Sequence, residues 1–519
     1  MVAERTFTCR FLSSVTSTTE RALSVRIRRV GAVAAAGAAG MTMILSAALS
    51  PAAHATSAGS ILQEAVGLFG SSGTGSLGDP TPPDVEPGGV AGGFTSKTPY
   101  APGQRAEDLQ QVPDGYAPVY TESVARHGSR ALSSLKYDDL TLQLWELAEA
   151  ERALTPLGAK LGPAVRDLMA ANREVGYGNL SGLGVTEHRR MGARVAERVP
   201  SLFDSIARDG GSITVTSSGV DRAVDSAVNF AEGLVAVRPD VADTVAPVGV
   251  DVALLYFHDS DTAYLDYEEN DPRLHAAVQQ IHDLPRTREV ARHMMLALYT
   301  ESFVNRLAAG EFSLVDRGKG KERVENEVDA ADMLYNTYII TPGMAQEGDW
   351  DFARFISEDD LQWMAYLNDA EDFYAKGPGF SGENVTYEMA TVLRDEFLRG
   401  LAAHTTVGAS AGADFRFAHA ETVIPFAALL ELPGSTEQQP TDTLYTYANN
   451  PWRGALVSPM AANIQWDVFT DAAGKSIVRM LYNERETAFA APCTPMTAGS
   501  FFYDAAELQR CVPLISLVG

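Results

Sequence analysis

The sequence predicts an α/β protein, a sheet domain flanked by helices with a mostly α-helical cap domain inserted in it. Three observations lead there. Runs of β-branched and aromatic residues flank a long central stretch, that stretch carries helical periodicity, and the sharpest polar motifs fall where strands give way to helices. With 519 residues, 45% hydrophobic and 21% charged, the chain has an ordinary globular composition. That length buries one large core plus a second unit.

In chain order, residues 1–55 read as a secretory signal peptide. Arg26, Arg28 and Arg29 precede an apolar Ala-rich run, Val30 to Leu49, and Ala53-His54-Ala55 supplies a small-residue cleavage site. The run is rich in Ala and Gly, broken by polar residues and ended by Pro51, so it makes a poor membrane span. Residues 56–93, dense in Gly, Ser, Pro and Thr, read as a flexible linker, with order expected from about Lys97. Residues 94–249 form the first part of the sheet domain. Pro118 to Ala125 suits a strand, Leu140, Leu144, Leu147 and Ala148 share a helix face, and Thr186 is placed to cap a helix. Ser212 to Ser217 alternates as a strand and leads to an apolar helix, Ala227 to Val235.

Residues 250–405 form the helical cap, with Leu296, Tyr299, Phe303 and Leu307 on one face and Met389, Val392, Leu393 and Phe397 on another. Residues 406–519 complete the sheet domain. Phe415 and Phe417 precede a helix that takes Pro425 in its first turn, and Asp471-Ala472-Ala473-Gly474-Lys475 reads as a hairpin turn.

The net charge of −26 argues against nucleic-acid binding, because a phosphate backbone needs a basic face. An anionic small molecule would need a concentrated basic pocket inside that field. No segment after the signal is apolar enough to span a membrane. Cys493 and Cys511 would remain after export, an even pair suited to a disulfide in an oxidising compartment, with two free thiols as the alternative.

The motifs supply such a pocket. Arg126-His127-Gly128-Ser129-Arg130 sits at the C-terminal end of a strand, where open α/β sheets bind ligands. Guanidiniums fit phosphate oxygens, and two of them push the imidazole between towards its neutral, nucleophilic form. A solvated surface turn is the plain alternative. His419-Ala420-Glu421 is also at a strand end; His419 could donate to a phosphate oxygen and Glu421 could protonate a departing alkoxide, although an acid in a first helical turn is stabilising anyway. Arg222, after the Ser212–Ser217 strand, would add a third guanidinium.

Together these motifs resemble the histidine phosphatases of the acid phosphatase branch. The His-Ala-Glu form, with Ser96-Lys97-Thr98-Pro99-Tyr100 upstream, is similar to the multiple inositol polyphosphate phosphatases, phytate-degrading enzymes. Tyr256-Phe257-His258-Asp259, Asn450-Pro451-Trp452-Arg453 and Leu481-Tyr482-Asn483-Glu484 look like that family too. The resemblance spans roughly residues 95–515. It implies that His127 is a nucleophile forming a phosphohistidine, that Arg126, Arg130, Arg222 and His419 bind the phosphoryl group, and that Glu421 is the proton donor. It implies an inositol polyphosphate or another phosphomonoester as substrate; separately, no H-E-x-x-H occurs and the histidines show no metal-ligand spacing, so no metal or cofactor is expected. A Cys common in vertebrate members near Tyr256–Asp259 is absent; Asp261 stands there. Lys97 is a candidate for substrate binding, as are Lys319, Lys321 and Arg323, whose plainer reading is a solvated loop.

Two rivals use the same residues: a broad acid phosphatase of sugar phosphates and a non-catalytic phosphate binder. Gly408-Ala409-Ser410-Ala411-Gly412 fits a nucleophile elbow, but its only downstream His is His419, too local for that triad, so it reads as a loop.

Overall fold

The computed structural model describes residues 91–512. The expected signal peptide, linker residues 56–90 and residues 513–519 lie outside the described residues. Packing begins slightly before Lys97. Tyr338 and Tyr335 donate hydroxyl hydrogens to the carbonyls of Gly92 and Gly93, both at 2.7 Å, tying this short segment to the helical part.

The chain builds an eight-stranded mixed sheet in the order β10-β8-β7-β1-β6-β2-β3, with β9 beside β8. Its strands are β1 (Tyr116–Arg126), β2 (Ser212–Ser217), β3 (Gly249–Val250), β6 (Gly412–Ala418), β7 (Asn463–Asp471), β8 (Ser476–Tyr482), β9 (Arg485–Thr487) and β10 (Phe502–Asp504). A separate ribbon pairs β4 (Leu314–Val315) with β5 (Arg323–Val324). Strand β6 lies parallel between β1 and β2, whereas β7 runs antiparallel on the other side of β1. Register pairs Arg126 with Ala418 and Ser217 with Phe417, so three parallel strands end level with one another. The expected β7–β8 hairpin forms over Asp471, whose carboxylate accepts from the amides of Ala473 and Lys475.

Alternate strand residues face opposite sides, and each side is covered by helices. Among the described residues, the α-helices longer than four residues are α1 (Lys136–Ala150), α2 (Leu161–Val175), α3 (Gly182–Arg198), α4 (Pro200–Asp209), α5 (Asp221–Val237), α6 (Thr262–Asn270), α7 (Pro272–His282), α8 (Pro285–Leu298), α9 (Glu301–Ala308), α10 (Glu327–Ile339), α11 (Glu358–Lys376), α12 (Thr391–His404), α13 (Ala420–Leu429) and α14 (Ala505–Cys511). On one face, Val195, Phe203 and Phe230 from α3, α4 and α5 pack on Val215, Phe415 and Phe417. On the other, Phe397 of α12 and Phe426 of α13 pack on Tyr120, Val124 and Trp466. Cys493 and Cys511 are joined, which anchors α14.

The third core cluster is helical, and its membership departs from the expected 250–405 cap. It takes in α1 and α2, through Leu140, Trp145, Leu161 and Leu168, as well as α7 to α11. Conversely, Met389, Leu393 and Phe397 leave the cap for the sheet. Helical periodicity reports a buried face but not which neighbour buries it. Three local expectations also change. Ser181, not Thr186, caps α3, its Oγ accepting from the Gly184 amide at 3.3 Å. Pro425 lies inside α13 rather than in its first turn, so the helix bond it cannot donate is lost. Leu296 and Val392 are exposed, and the face assigned to Leu296, Tyr299, Phe303 and Leu307 is interrupted where α8 ends before Tyr299. Residues 408–411 form a loop ahead of β6, as a small-residue stretch should.

Candidate active site

The site grows from the level ends of β1, β2 and β6. Strand β1 delivers Arg126 and then His127, whose amide donates to the Ala418 carbonyl at 2.9 Å, carrying the sheet ladder one residue past the strand. Next door, β6 delivers His419, the N-terminal boundary residue of α13, and Glu421 in that helix's first turn. Strand β2 delivers Ser218 and, one turn later on α5, Arg222. The turn after His127 needs Gly128. A Cβ there would stand 2.8 Å from the backbone of Gly184, and a Cβ on Gly184 would strike the Ser129 carbonyl, so α3 and the turn meet glycine to glycine. Glu187 of α3 fixes this turn by accepting from the Ser129 amide at 2.6 Å and its hydroxyl at 2.8 Å.

His127 is buried, and its Nδ1 lies 2.9 Å from the Gly128 carbonyl. A carbonyl only accepts, so Nδ1 carries the hydrogen and Nε2 keeps the lone pair. Burial, then the positive charge of Arg222 and Arg126, holds the imidazole well below its usual pKa, hence neutral. The His419 ring lies 5.6 Å away, centre to centre. Its Nε2 is 2.8 Å from Ser218 Oγ, and Arg222 Nη2 approaches its Nδ1 at 3.3 Å. Because guanidinium only donates, His419 in this state accepts at Nδ1 and donates Nε2–H to Ser218.

Three guanidiniums share this end of the sheet. Arg126 Nη1 donates to the carbonyls of Ser96 at 2.5 Å and Ser458 at 2.6 Å, and Arg130 Nη1 donates to the Ala131 carbonyl. The buried Nε of Arg126, Arg130 and Arg222 each lacks a protein partner. Buried donors are nearly always satisfied, so three such groups around one imidazole point to an anion.

Beside them opens a cleft of roughly 650 Å³ between the sheet end and α10 and α11, lined by Lys97, Arg130, Asn336, Asp372, Lys376 and Glu421 among others. Arg130 of the 126–130 turn and Glu421 therefore face one space. Lys97 joins them: its Nζ donates to Ser96 Oγ at 3.1 Å, and burial, opposed by Asp372 and reinforced by Arg126, brings its pKa down to about 7. Lys319, Lys321 and Arg323 do not line the cleft. Their loop wraps Asp316, whose carboxylate accepts from the amides of Lys319 and Lys321. Among the described residues no three His, Cys, Asp or Glu side chains are grouped to hold a metal ion.

Comparison with known proteins places this arrangement. Residues 121–483 match the histidine phosphatase superfamily (branch 2). A multiple inositol polyphosphate phosphatase of Bifidobacterium longum, solved in complex with inositol hexasulfate, superimposes with a TM-score of 0.77 at 36% identity, covering 81% of this chain and 97% of that one. The chain belongs to that family of the histidine phosphatases. It is also similar to multiple inositol polyphosphate phosphatase 1 of Gallus gallus, 22% identical over 73% of this chain and 79% of the relative. The human counterpart is 24% identical over 71% and 74%. The phytase of D. castellii shares the fold alone, at 17% identity and a TM-score of 0.53.

As a histidine phosphatase the protein is a phosphoric monoester hydrolase, and its site holds groups that no motif announced. Lys376, the last residue of α11, bridges Asp372 Oδ1 and Glu421 Oε1, each at 3.0 Å. A lysine ending a helix is ordinary dipole chemistry, so its sequence carried no signal. The His258 ring packs tilted against Tyr256 at 4.3 Å, centre to centre, and stands 6.4 Å from His419, its buried Nδ1 without a protein partner. The Tyr256–Asp259 resemblance marked that segment without assigning it a role. Glu421 differs from expectation in one respect. Burial favours its protonated form, but Lys376 first, then His258 and His419, outweigh burial and hold the carboxyl well below its usual range, as a carboxylate.

Proposed function

We propose that this histidine phosphatase is an exported enzyme that removes phosphate from inositol polyphosphates, phytate among them, through a phosphohistidine at His127. The observation that carries this reading is the neutral imidazole, anchored by Nδ1–H and ringed by three guanidiniums with unpaired Nε–H groups. The relative from Bifidobacterium longum, crystallised with inositol hexasulfate and with phosphate, supports the substrate class. Export is supported by the basic and apolar segments before Ala55 and by the Cys493–Cys511 bond, which suits an oxidising compartment.

In the first step the Nε2 lone pair of His127 attacks phosphorus in line, and the phosphorus–oxygen bond to the inositol breaks. Arg126, Arg130 and Arg222 hold the three equatorial oxygens, with charge-assisted bonds that tighten as negative charge spreads over them. A protonated Glu421 gives its proton to the leaving oxygen. In the second step water attacks phosphorus, Glu421 takes up the water's proton, and the phosphorus–nitrogen pair returns to Nε2. His419 serves as a donor once an anion draws Arg222 away. Its Nδ1 then carries the hydrogen while Nε2 accepts from Ser218, a change a neutral imidazole makes by moving one proton.

A reaction quenched in alkali after milliseconds should contain phosphate bound to protein, stable in base and lost in acid. His127→Ala should contain none, have no turnover and still bind inorganic phosphate. Turnover retained in His127→Ala would end the proposal. No step needs a metal, so activity should survive EDTA.

A further inference from the structure

The donor role of Glu421 needs a proton, yet Lys376 pairs with it as a carboxylate at 3.0 Å. We propose that Lys376 is a specificity-determining residue that binds the phosphate next to the one being cleaved, and that by leaving Glu421 it allows that carboxyl to take a proton. The inference rests on the phosphohistidine reading and adds to it a reason for the enzyme to prefer substrates with adjacent phosphates.

The geometry is that of a shared cation. Lys376 Nζ contacts Asp372 and Glu421 at 3.0 Å each, its side chain 15% exposed towards the cleft that Lys97 and Arg130 also line. Glu421 is 30% exposed towards the same space. A vicinal phosphate entering between Lys97 and Lys376 would attract the ammonium with up to two charges against the single charge of Glu421. Asp372 would keep the ammonium in the cleft as it turns, because Ser96 Oγ holds the Asp372 carboxylate from the other side at 3.1 Å. The freed Glu421 would then face burial and an incoming anion, both of which favour its neutral form.

The groups around Glu421 make Lys376 the decisive one. From its own segment it meets His419, and from the segment before α6 it meets His258 and Tyr256. From α6 it meets Tyr264 and Glu268. Arg126 and Arg130 reach it from the β1 turn, and Arg222 from α5, but these three would be neutralised by the scissile phosphoryl group itself. His258 and His419 add to the pull on Glu421 but less than Lys376 does, and burial holds both below their usual pKa, so their charge is the first to go as pH rises. On α11, Asp372 repels Glu421's charge and Lys376 attracts it. With the arginines engaged, Lys376 is the cation that decides whether Glu421 is charged.

The test compares two alkyl phosphates in single turnovers at saturating substrate: phytate, and glycerol 3-phosphate, which has no second phosphate. With the wild-type enzyme, the alkaline limb of the first-turnover rate should lie about one pH unit higher for phytate. In Lys376→Met the glycerol 3-phosphate limb should rise to meet that of phytate, while the phytate KM rises about tenfold and the glycerol 3-phosphate KM stays unchanged. Lys376→Arg should restore the phytate KM and the separation of limbs. Coincident limbs in the wild type overturn the inference without any variant, and so does an unchanged phytate KM in Lys376→Met. Base-stable phosphoprotein, measured in the same quench, keeps the two questions apart. If it forms and the limbs coincide, this inference alone fails; if it never forms, the preceding mechanism fails.

Discussion

At the scale of single residues, the site runs on protonation states set by burial and neighbours. His127 stays neutral through the physiological range, so its own titration should not shape the pH profile. Lys97 should. Its pKa of about 7 means that its ammonium is lost as pH rises through neutrality, so KM for phytate should climb above that pH. Lys97→Met should remove that rise and leave KM uniformly higher; a KM that still climbs in this variant would reassign the effect. Glu421→Gln should slow alkyl phosphates much more than aryl phosphates, whose leaving groups depart without a proton, and equal slowing of both would move the donor elsewhere. The residues proposed to attack and bind drew notice in the sequence because arginines flanking a histidine, and a histidine before an acid, stand at junctions that already suggested strand ends. Lys376, Asp372 and Ser218 were not. Each is a common residue in a common place, and only the packing of α11 against the sheet end gives it a partner.

At the scale of elements, parallel pairing of β1, β6 and β2 does what no single motif could: it brings residues 127, 222 and 419 to one level. The strands were readable from their alternation, and the order β1-β6-β2 was not, because alternation says nothing about neighbours. The close approach of Gly128 and Gly184 is the element contact on which the turn depends. Gly184→Ala should destabilise the fold by about 1–3 kcal/mol through overpacking, and should lower kcat by moving His127, measured by urea unfolding beside kinetics. A second support is ionic. Burial would raise the carboxyl of Asp467, but Arg198 and Arg479, each at 3.0 Å, hold it at about 2. A depressed carboxyl stabilises above its unfolded pKa, and that contribution fades as pH falls towards 2. Asp467→Asn, which leaves two buried arginines short of an anion, should cost about 3–5 kcal/mol at neutral pH and progressively less in acid. A loss that did not shrink in acid would show that packing, not charge, is at work.

At the scale of the whole molecule, the helices α10 and α11 meet the end of the sheet to make the cleft, and the sequence could not apportion the helices between the two parts. Helices α1 and α2 read as part of the first segment yet bury their apolar faces with α7 to α11. The Cys493–Cys511 bond closes a short loop far from this cleft in sequence. Cys511→Ser should therefore lower the melting temperature, by the equivalent of about 3 kcal/mol, with kcat unchanged. The Arg126 guanidinium, for its part, hangs from the Ser96 carbonyl, and Lys97 follows at once. A gene truncation that removed the chain through Lys97 would thus cut one of that arginine's tethers and carry off a cleft cation, leaving a protein that still melts cooperatively and no longer works.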